Sequence, residues 1–134
     1  MGVILDTSIL VAAERGDLDM PAFLGGLGQD AVAIAAMTAA ELLYGVERAT
    51  NAARRSRRGA FVEGLLAVVP TMPFGLLEAR RHAQLWAELT RKGKMIGAHD
   101  LVIAATALAH DFHLATLNAT EFRRVPGLKL VTGA

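Results

Sequence analysis

With 134 residues, of which 53% are hydrophobic and 20% charged, the chain is long enough for one domain, too short for two, and too apolar to be disordered. Its mean hydropathy of +0.37 does not indicate a membrane protein, because the uncharged stretches at residues 31–40, 64–77 and 101–110 are shorter than the roughly 20 apolar residues of a spanning helix. The net charge of +1 does not by itself indicate a nucleic-acid partner, and the absence of cysteine excludes disulfides and Cys-based zinc sites.

The N-terminal half of the sequence predicts strands that alternate with helices. Residues 3–5 form a short buried strand, and Asp6 begins the polar segment that caps the following helix. The continuous apolar run at residues 31–35 is typical of a strand covered on both faces, and Glu41 lies in the first turns of the next helix. Residues 67–69 predict a third short strand.

The C-terminal half continues the alternation. A long helix is predicted over residues 76–91, ending near Gly93, and its candidate core contacts are Leu77, Ala83, Trp86 and Leu89. A further helix ends near residue 109, and strands follow at residues 114–117 and 128–131. Regular alternation of this kind predicts a three-layer α/β/α sandwich on a mainly parallel sheet, formed by residues 1–134 as one domain.

Three acidic residues stand where a strand-like or loop segment gives way to a helix, namely Asp6, Glu41 and Asp100. Parallel sheets bind ligands outside the carboxyl ends of their strands, so we expect these side chains to meet at one edge. Carboxylates close together repel one another unless a cation neutralises them, and a ligand set made only of oxygen favours Mg²⁺ or Mn²⁺ over zinc. Such ions activate water and bind phosphate oxygens, which indicates phosphodiester hydrolysis.

Each of these acids also has a purely structural interpretation. Thr38 and Glu41 have the spacing of a capping box, in which the glutamate side chain accepts the backbone N–H of the cap residue. Asp100 in a first helical turn is stabilised by the helix dipole, and Asp6 is a good N-cap residue. These interpretations do not require the three side chains to converge.

Side chains suited to contact with nucleic acid are few, apart from one cluster of arginines. Only 5% of the chain is aromatic, and Tyr44 and Trp86 are expected in the core or an interface rather than as platforms for base stacking. The cluster lies within eleven residues that contain no acid and comprises Arg48, Arg54, Arg55, Arg57 and Arg58. It is either a solvated helix face, a set of phosphate contacts, or a surface for an acidic segment of a partner.

Four segments carry these residues in order, at residues 3–8, 38–45, 99–107 and 115–122. Counting from Asp6 through Glu41 and Asp100 to Asn118, the spacings are 35, 59 and 18 residues. The segments resemble the four motifs of PIN-domain ribonucleases, specifically the VapC-type toxins of bacterial and archaeal toxin–antitoxin pairs. The resemblance covers nearly the whole chain, and four motifs in family order are far more specific than any one of them.

The resemblance implies a PIN-like fold and a Mg²⁺-dependent endoribonuclease in which Mn²⁺ can substitute. Asp6 and Asp100 would be the principal metal ligands, and Glu41 would ligate through water or orient the nucleophile. Asn118 stands where many relatives have a fourth acid, which leaves a second cation weakly held. Glu121 is a candidate replacement for that acid, so chemistry with one metal and with two metals both stay open.

The resemblance also implies an RNA substrate and a cognate antitoxin that keeps the enzyme inactive. We further expect a homodimer in the cytoplasm, without membrane association, since the N-terminal segment lacks the basic residues of a signal peptide. The alternative is a PIN-like module that binds RNA or protein without cleaving, and Asn118 is the one feature that favours it.

Overall fold

The computed structural model describes residues 2–132. The strands in this range are β1 (Gly2–Leu5), β2 (Ala31–Ala35), β3 (Thr71–Met72), β4 (His113–Ala115) and β5 (Leu130–Val131). The helices are α1 (Thr7–Glu14), α2 (Met20–Gly26), α3 (Ala36–Glu47), α4 (Ala52–Val68), α5 (Leu76–Lys92), α6 (Ala98–Ala109) and α7 (Ala119–Phe122).

The strands form one sheet in the order β3-β2-β1-β4-β5, and every neighbouring pair is parallel. The chain builds the sheet outward from β1 to β3 and then returns to place β4 on the other side of β1. The strand order therefore reverses between β1 and β4. The crevice at the carboxyl ends of these two strands is where open parallel sheets bind ligands.

Alternating side chains along β1 divide the core into two layers. Ile4 faces α5 and α6, and its layer includes Leu85, Leu89, Ile103 and Ala104. Val3 and Leu5 face α1, α3 and α4, and their layer includes Ile9, Leu10, Leu42 and Val62. Helices thus cover both faces, which explains the apolar runs of the inner strands and confirms the predicted three-layer α/β/α sandwich. No helix within residues 2–132 is long and apolar enough to cross a membrane.

The predicted third strand at residues 67–69 is wrong. Helix α4 continues through Val68, and the strand next to β2 is Thr71–Met72, after the proline. Its pairing begins at Pro70, whose carbonyl accepts the Ile34 N–H at 3.0 Å. A short apolar run fits a buried strand and the end of a helix equally well, so periodicity did not separate the two.

The predicted inner face of α5 is also largely wrong. Leu77 and Trp86 are 56% and 54% exposed, and Ala83 is exposed as well. The buried face is instead formed by Glu78, Leu85 and Leu89. A carboxylate stands on this face, so a search for apolar spacing selected the wrong side of the helix.

Glu78 owes its burial to hydrogen bonds at both of its oxygens. Oε1 accepts the N–H of Gly75, just before α5, at 2.9 Å, and Oε2 lies 2.5 Å from His110 Nε2 at the end of α6. Burial raises the pKa of Glu78, but the backbone N–H groups of Glu78 and Gly75 and the His110 ring together lower it below its ordinary value. The carboxylate therefore caps α5 and joins it to α6.

Replacing Glu78 by alanine should lower the free energy of unfolding by roughly 2–4 kcal/mol, because it removes a cap and leaves a half-buried imidazole without its partner. A lowered folded-state pKa means that this contribution is present above the unfolded value of 4.5 and is lost as the pH falls below it. Urea unfolding at neutral pH and near about pH 3 measures both effects. Glu88→Ala is the control, since Glu88 forms only an exposed pair with Lys92 and should change stability by less than about 1 kcal/mol. Equal losses in the two variants would contradict the prediction.

Candidate active site

Asp6 lies at the carboxyl end of β1, in the crevice where the strand order reverses. Its backbone N–H donates to the Ala115 carbonyl at 2.9 Å, which continues the pairing with β4. The side chain is 4% exposed and caps α1 by accepting the Thr7 N–H at 2.8 Å. The hydroxyls of Ser8 and Thr116 both donate to Oδ2, at 2.8 and 2.7 Å. Hydrogen bonds from two elements thus hold this carboxylate in one orientation.

Glu41 reaches the same edge from α3, which follows the neighbouring strand β2. Thr7 donates its hydroxyl to Glu41 Oε1 at 2.7 Å, and the Thr7 and Thr38 hydroxyl oxygens are 3.1 Å apart. The ring of His99 lies beside the other oxygen, with Nδ1 3.2 Å from Oε2. Glu41 therefore bonds to residues at the start of α1 and α6 rather than to its own helix.

The capping-box interpretation of Glu41 is wrong. Helix α3 begins at Ala36, and Ala35 occupies the cap position without a side-chain hydrogen bond. Thr38 is then already inside the first turn, and it is buried. The spacing of the box is present in the sequence, but the helix begins too early to use it.

Asp100 lies in the first turn of α6 and faces Glu121 of α7. A Cβ atom added at Gly97 would be 3.6 Å from both Asp100 Oδ2 and Glu121 Oε1, so the two carboxyl groups approach the same side of that glycine. Glu121 Oε1 also accepts the Gly97 N–H at 2.6 Å. This contact ties the start of α6 to α7 beside the acidic cluster.

The carboxylates perturb one another's ionisation. Burial, followed by the negative charges of Asp6 and Glu121, a hydrogen bond to Glu121 and the charge of Glu41, raises the pKa of Asp100 to about 7. The Gly97 N–H is the largest cause of the lowered pKa of Glu121, against a smaller opposing effect of burial. Burial and the three neighbouring acids together therefore disfavour the charged form of Asp100.

Asn118 lies at the rim of the cluster, just before α7. Its backbone N–H donates to the Thr116 hydroxyl at 2.8 Å, and its amide Nδ2 is 3.4 Å from Glu121 Oε2. The exposed amide thus approaches Glu121, the residue that brings a fourth carboxylate next to Asp100. Asn118 and Glu121 are three residues apart at the start of α7, so the sequence motif alone did not show which of them lies next to Asp100. A role for Asn118 in the chemistry stays a prediction.

The atoms of the cluster that could ligate a metal ion are carboxylate oxygens, apart from the ring nitrogens of His99. Within residues 2–132, no three or more histidine, aspartate or glutamate side chains are gathered closely enough to hold a metal ion by themselves. His99 was not predicted to take part. Its position directly before Asp100 was the only signal in the sequence.

A groove of about 600 Å³ opens beside Glu41 and His99, between α1, α3 and α4. Its apolar lining includes Val11, Leu42, Phe61 and Val62. Arg58 closes one side, because its guanidinium donates to Glu14 at 3.1 Å and to the Gly45 carbonyl at 3.0 Å. The acidic cluster therefore lies at one end of a largely apolar channel.

The arginine cluster does not act as one surface. Arg58 is half-buried in the groove wall, and Arg55 pairs with Glu47 on α3 at 3.0 Å. Arg54 and Arg57 are exposed and line a second, smaller cavity of about 260 Å³. Arg55 and Arg58 thus brace the helices, and the other three members of the cluster, Arg48, Arg54 and Arg57, are exposed.

Comparison with known proteins agrees with this geometry. The family model described as "PIN domain" matches residues 3–128. Ribonuclease VapC1 of Rickettsia felis is 38% identical over 132 residues, which cover 98% of this chain and 96% of that protein. The chain belongs to the PIN-domain family. The predicted resemblance to VapC-type PIN domains is thereby confirmed.

Solved structures of PIN-domain proteins share the fold along the whole chain. The VapBC2 complex of Rickettsia felis, bound to a DNA fragment from its promoter, matches with a TM-score of 0.89 and 29% identity, covering 100% of both chains. VapBC-5 of Mycobacterium tuberculosis, a member of a family of toxin–antitoxin systems, matches with a TM-score of 0.77 and 30% identity, covering 98% of this chain and 95% of that one.

Proposed function

We propose that the chain is a Mg²⁺-dependent endoribonuclease that acts as the toxin of a toxin–antitoxin pair, with Mn²⁺ able to replace Mg²⁺. The observation that carries the proposal is that Asp6, Glu41, Asp100 and Glu121 lie at one edge of the sheet, where burial and the charges of the other three acids raise the pKa of Asp100 to about 7. The names of the similar proteins, a ribonuclease and toxin–antitoxin complexes, support it.

The donor set suits a hard cation. Mg²⁺ takes oxygen ligands and is commonly held by one or two carboxylates together with water, and Asp6 and Asp100 would supply these carboxylates. Three hydrogen bonds occupy the Asp6 carboxylate, which has about four lone-pair sites, so one site is left for a cation. Such an ion supplies an activated water and neutralises phosphate charge. Glu121 would hold a second ion, if two are used.

The remaining groups of the cluster prepare a proton acceptor. Thr7 fixes one oxygen of Glu41, and His99 lies against the other, so the carboxylate keeps a single orientation toward the cluster. We assign to Glu41 the uptake of a proton from the attacking water. In the metal-free protein, burial and the neighbouring carboxylates raise the pKa of Asp100 to about 7.

The antitoxin would bind along the groove between α1, α3 and α4. Apolar side chains line most of its length, and Glu41 and His99 stand at its end, so a protein segment laid in the groove would cover the acidic cluster. Apolar burial would supply the affinity, and exclusion of RNA from the carboxylates would inhibit the enzyme.

We also propose that the chain forms a homodimer. Apolar side chains on and next to α5 are unusually exposed, and they include Phe74, Leu76, Leu77 and Trp86. A second copy would remove these side chains from water. Light scattering of the purified protein distinguishes the 14.2 kDa monomer from a dimer of twice that mass.

A module that binds RNA or protein without cleaving is the second candidate. The neutral Asn118 favours it, since a fourth acid is missing at that position. Glu121 weakens that argument, because it places a fourth carboxylate beside Asp100, next to the Gly97 N–H.

Cleavage of RNA by the purified chain tests the proposal. Cellular RNA incubated with the protein should yield discrete fragments with Mg²⁺ or Mn²⁺, and intact RNA with a chelator. Expression in cells should arrest growth, and an antitoxin encoded next to the gene should restore it. A protein that is folded and binds Mg²⁺, yet leaves RNA intact, would favour the module that does not cleave.

Glu41→Gln should reduce the cleavage rate by roughly 10²-fold or more and leave the melting temperature unchanged. Glutamine still accepts the Thr7 hydroxyl, so the fold keeps its contact, whereas a neutral amide cannot take up the proton of the nucleophile. Initial cleavage rates and thermal melting measure the two effects. Glu47→Gln, at an exposed position of the same helix, should alter neither. Wild-type activity in Glu41→Gln would limit Glu41 to hydrogen bonding.

A further inference from the structure

One face of α3 carries an aromatic ring and a cation in line with the acidic cluster. Glu41, Tyr44 and Arg48 are separated by three and four residues, so they stand on neighbouring turns. Helix geometry places Tyr44 about 5 Å and Arg48 about 10 Å along the axis from Glu41. The three residues thus form a row that begins at the acidic cluster.

Tyr44, which was expected from the sequence in the core or an interface, is 65% exposed and is therefore not a core residue. Its ring forms part of the rim of the groove, and the guanidinium carbon of Arg48 lies 5.8 Å from the ring centroid. At this distance the cation is attracted to the ring and helps to fix its position. Proteins that bind single-stranded nucleic acid combine aromatic rings, on which bases stack, with cationic groups that contact the backbone, and Tyr44 and Arg48 offer one of each.

Resting on the proposed nuclease function, we propose that Tyr44 and Arg48 form a subsite for one nucleotide of single-stranded RNA next to the bond that is cleaved. Tyr44 stacks on the base, and Arg48 binds a phosphate. The row on α3 then leads the strand from the subsite to Glu41. The positive charges of Arg15 and Arg48 on this rim complement the RNA backbone.

Binding is best measured in an Asp100→Asn background, where the probe stays intact. The probes are a short fluorescein-labelled oligouridylate and an abasic ribose-phosphate oligomer of the same length. Tyr44→Ala should weaken binding of oligouridylate by roughly 5- to 150-fold, the range that corresponds to about 1–3 kcal/mol of base stacking. It should leave the abasic oligomer unaffected, because that probe has no base to stack.

Matched variants separate stacking from other effects of the side chain. Tyr44→Phe keeps the ring and should bind as the parent does, whereas Tyr44→Leu keeps apolar bulk without the ring and should behave as Tyr44→Ala. Arg48→Gln should weaken both probes equally and reduce the salt slope by about one. Trp86→Phe, on α5 and outside the groove, should bind both probes as the parent does.

Tyr44 also reports on its own environment, since it is the only tyrosine and Trp86 the only tryptophan. In a protein carrying Trp86→Phe, the intrinsic fluorescence comes from Tyr44 alone. Stacking should quench this fluorescence with oligouridylate and not with the abasic oligomer.

Several results would overturn the subsite. One is that Tyr44→Ala weakens binding of both probes equally. The others are that oligouridylate binds without quenching the Tyr44 fluorescence, and that the parent protein does not bind oligouridylate. If Tyr44→Ala weakened binding of the antitoxin and not of RNA, Tyr44 would be assigned to a protein contact instead. Cleavage by the unmodified chain is scored separately, so binding that depends on Tyr44 without any cleavage would refute the nuclease and leave the subsite standing.

Discussion

Replacing Asp100 by asparagine is expected to abolish RNA cleavage and, at neutral pH and above, to stabilise the metal-free protein. The change removes one of the two proposed metal ligands, and a loss of more than roughly a hundredfold is typical for one electrostatic group of an active site. The folded protein keeps the Asp100 proton up to about pH 7, whereas the unfolded chain releases it near 3.8. Stability from this group is therefore present below pH 3.8 and is lost as the pH rises to about 7. A neutral amide avoids that loss.

Cleavage rates with Mg²⁺ and thermal melting in a chelator measure the two parts of this prediction. The variant should melt above the wild type at about pH 8, and the difference should shrink toward about pH 4. Glu63→Gln, an exposed change away from the cluster, should follow the wild type at every pH. An Asp100→Asn protein that cleaves RNA at the wild-type rate would remove Asp100 from the site.

Asp6→Ala should have the opposite effect on stability while also abolishing cleavage. Asp6 is nearly fully buried and accepts hydrogen bonds from the Thr7 N–H and from the hydroxyls of Ser8 and Thr116. Losing the cap of α1 and leaving these donors unpaired should lower the free energy of unfolding by about 2–4 kcal/mol. Urea denaturation at neutral pH measures this loss.

Asp19→Ala is the matched control, because Asp19 also caps a helix but is exposed and accepts one hydrogen bond, from Ala22. It should cost about 1 kcal/mol and leave cleavage unchanged. If the two variants were equally stable, the hydrogen-bond donors around Asp6 would have found other partners. Asp6 would then contribute to cleavage and not to stability.

The elements that place Asp6 were predictable because they depend on local pattern. A buried apolar segment followed by Asp6 predicts a strand and a helix cap, and the structure has both. The convergence with Asp100 followed from the rule that parallel strands present their carboxyl ends at one edge. Both predictions depend only on the spacing of apolar residues and on the order of strands and helices along the chain.

The contacts of Glu41 and Glu121 were not predictable in the same way. Glu41 fits a capping box by spacing, but it bonds to Thr7, which lies 34 residues away. Glu121 reaches the Gly97 N–H across 24 residues. Such contacts depend on how α1, α6 and α7 pack against the sheet, and spacing within one motif carries no information about that packing. The sequence motif offered both Asn118 and Glu121, but it did not show that Glu121 is the residue that contacts the Gly97 N–H.

The hydrogen bond between Asp6 and Thr116 also determines how late in synthesis the acidic cluster can be completed. Asp6 and Thr116, which hydrogen-bond in the crevice, are 110 residues apart. A chain emerging from the ribosome carries Asp6 and Glu41 early, but it lacks β4, Thr116 and Glu121 until most of the polypeptide has been made. Pairing across such a separation forms later than local helices do. The proposed nuclease thus becomes competent only near the end of synthesis, after β4 and α7 have been made.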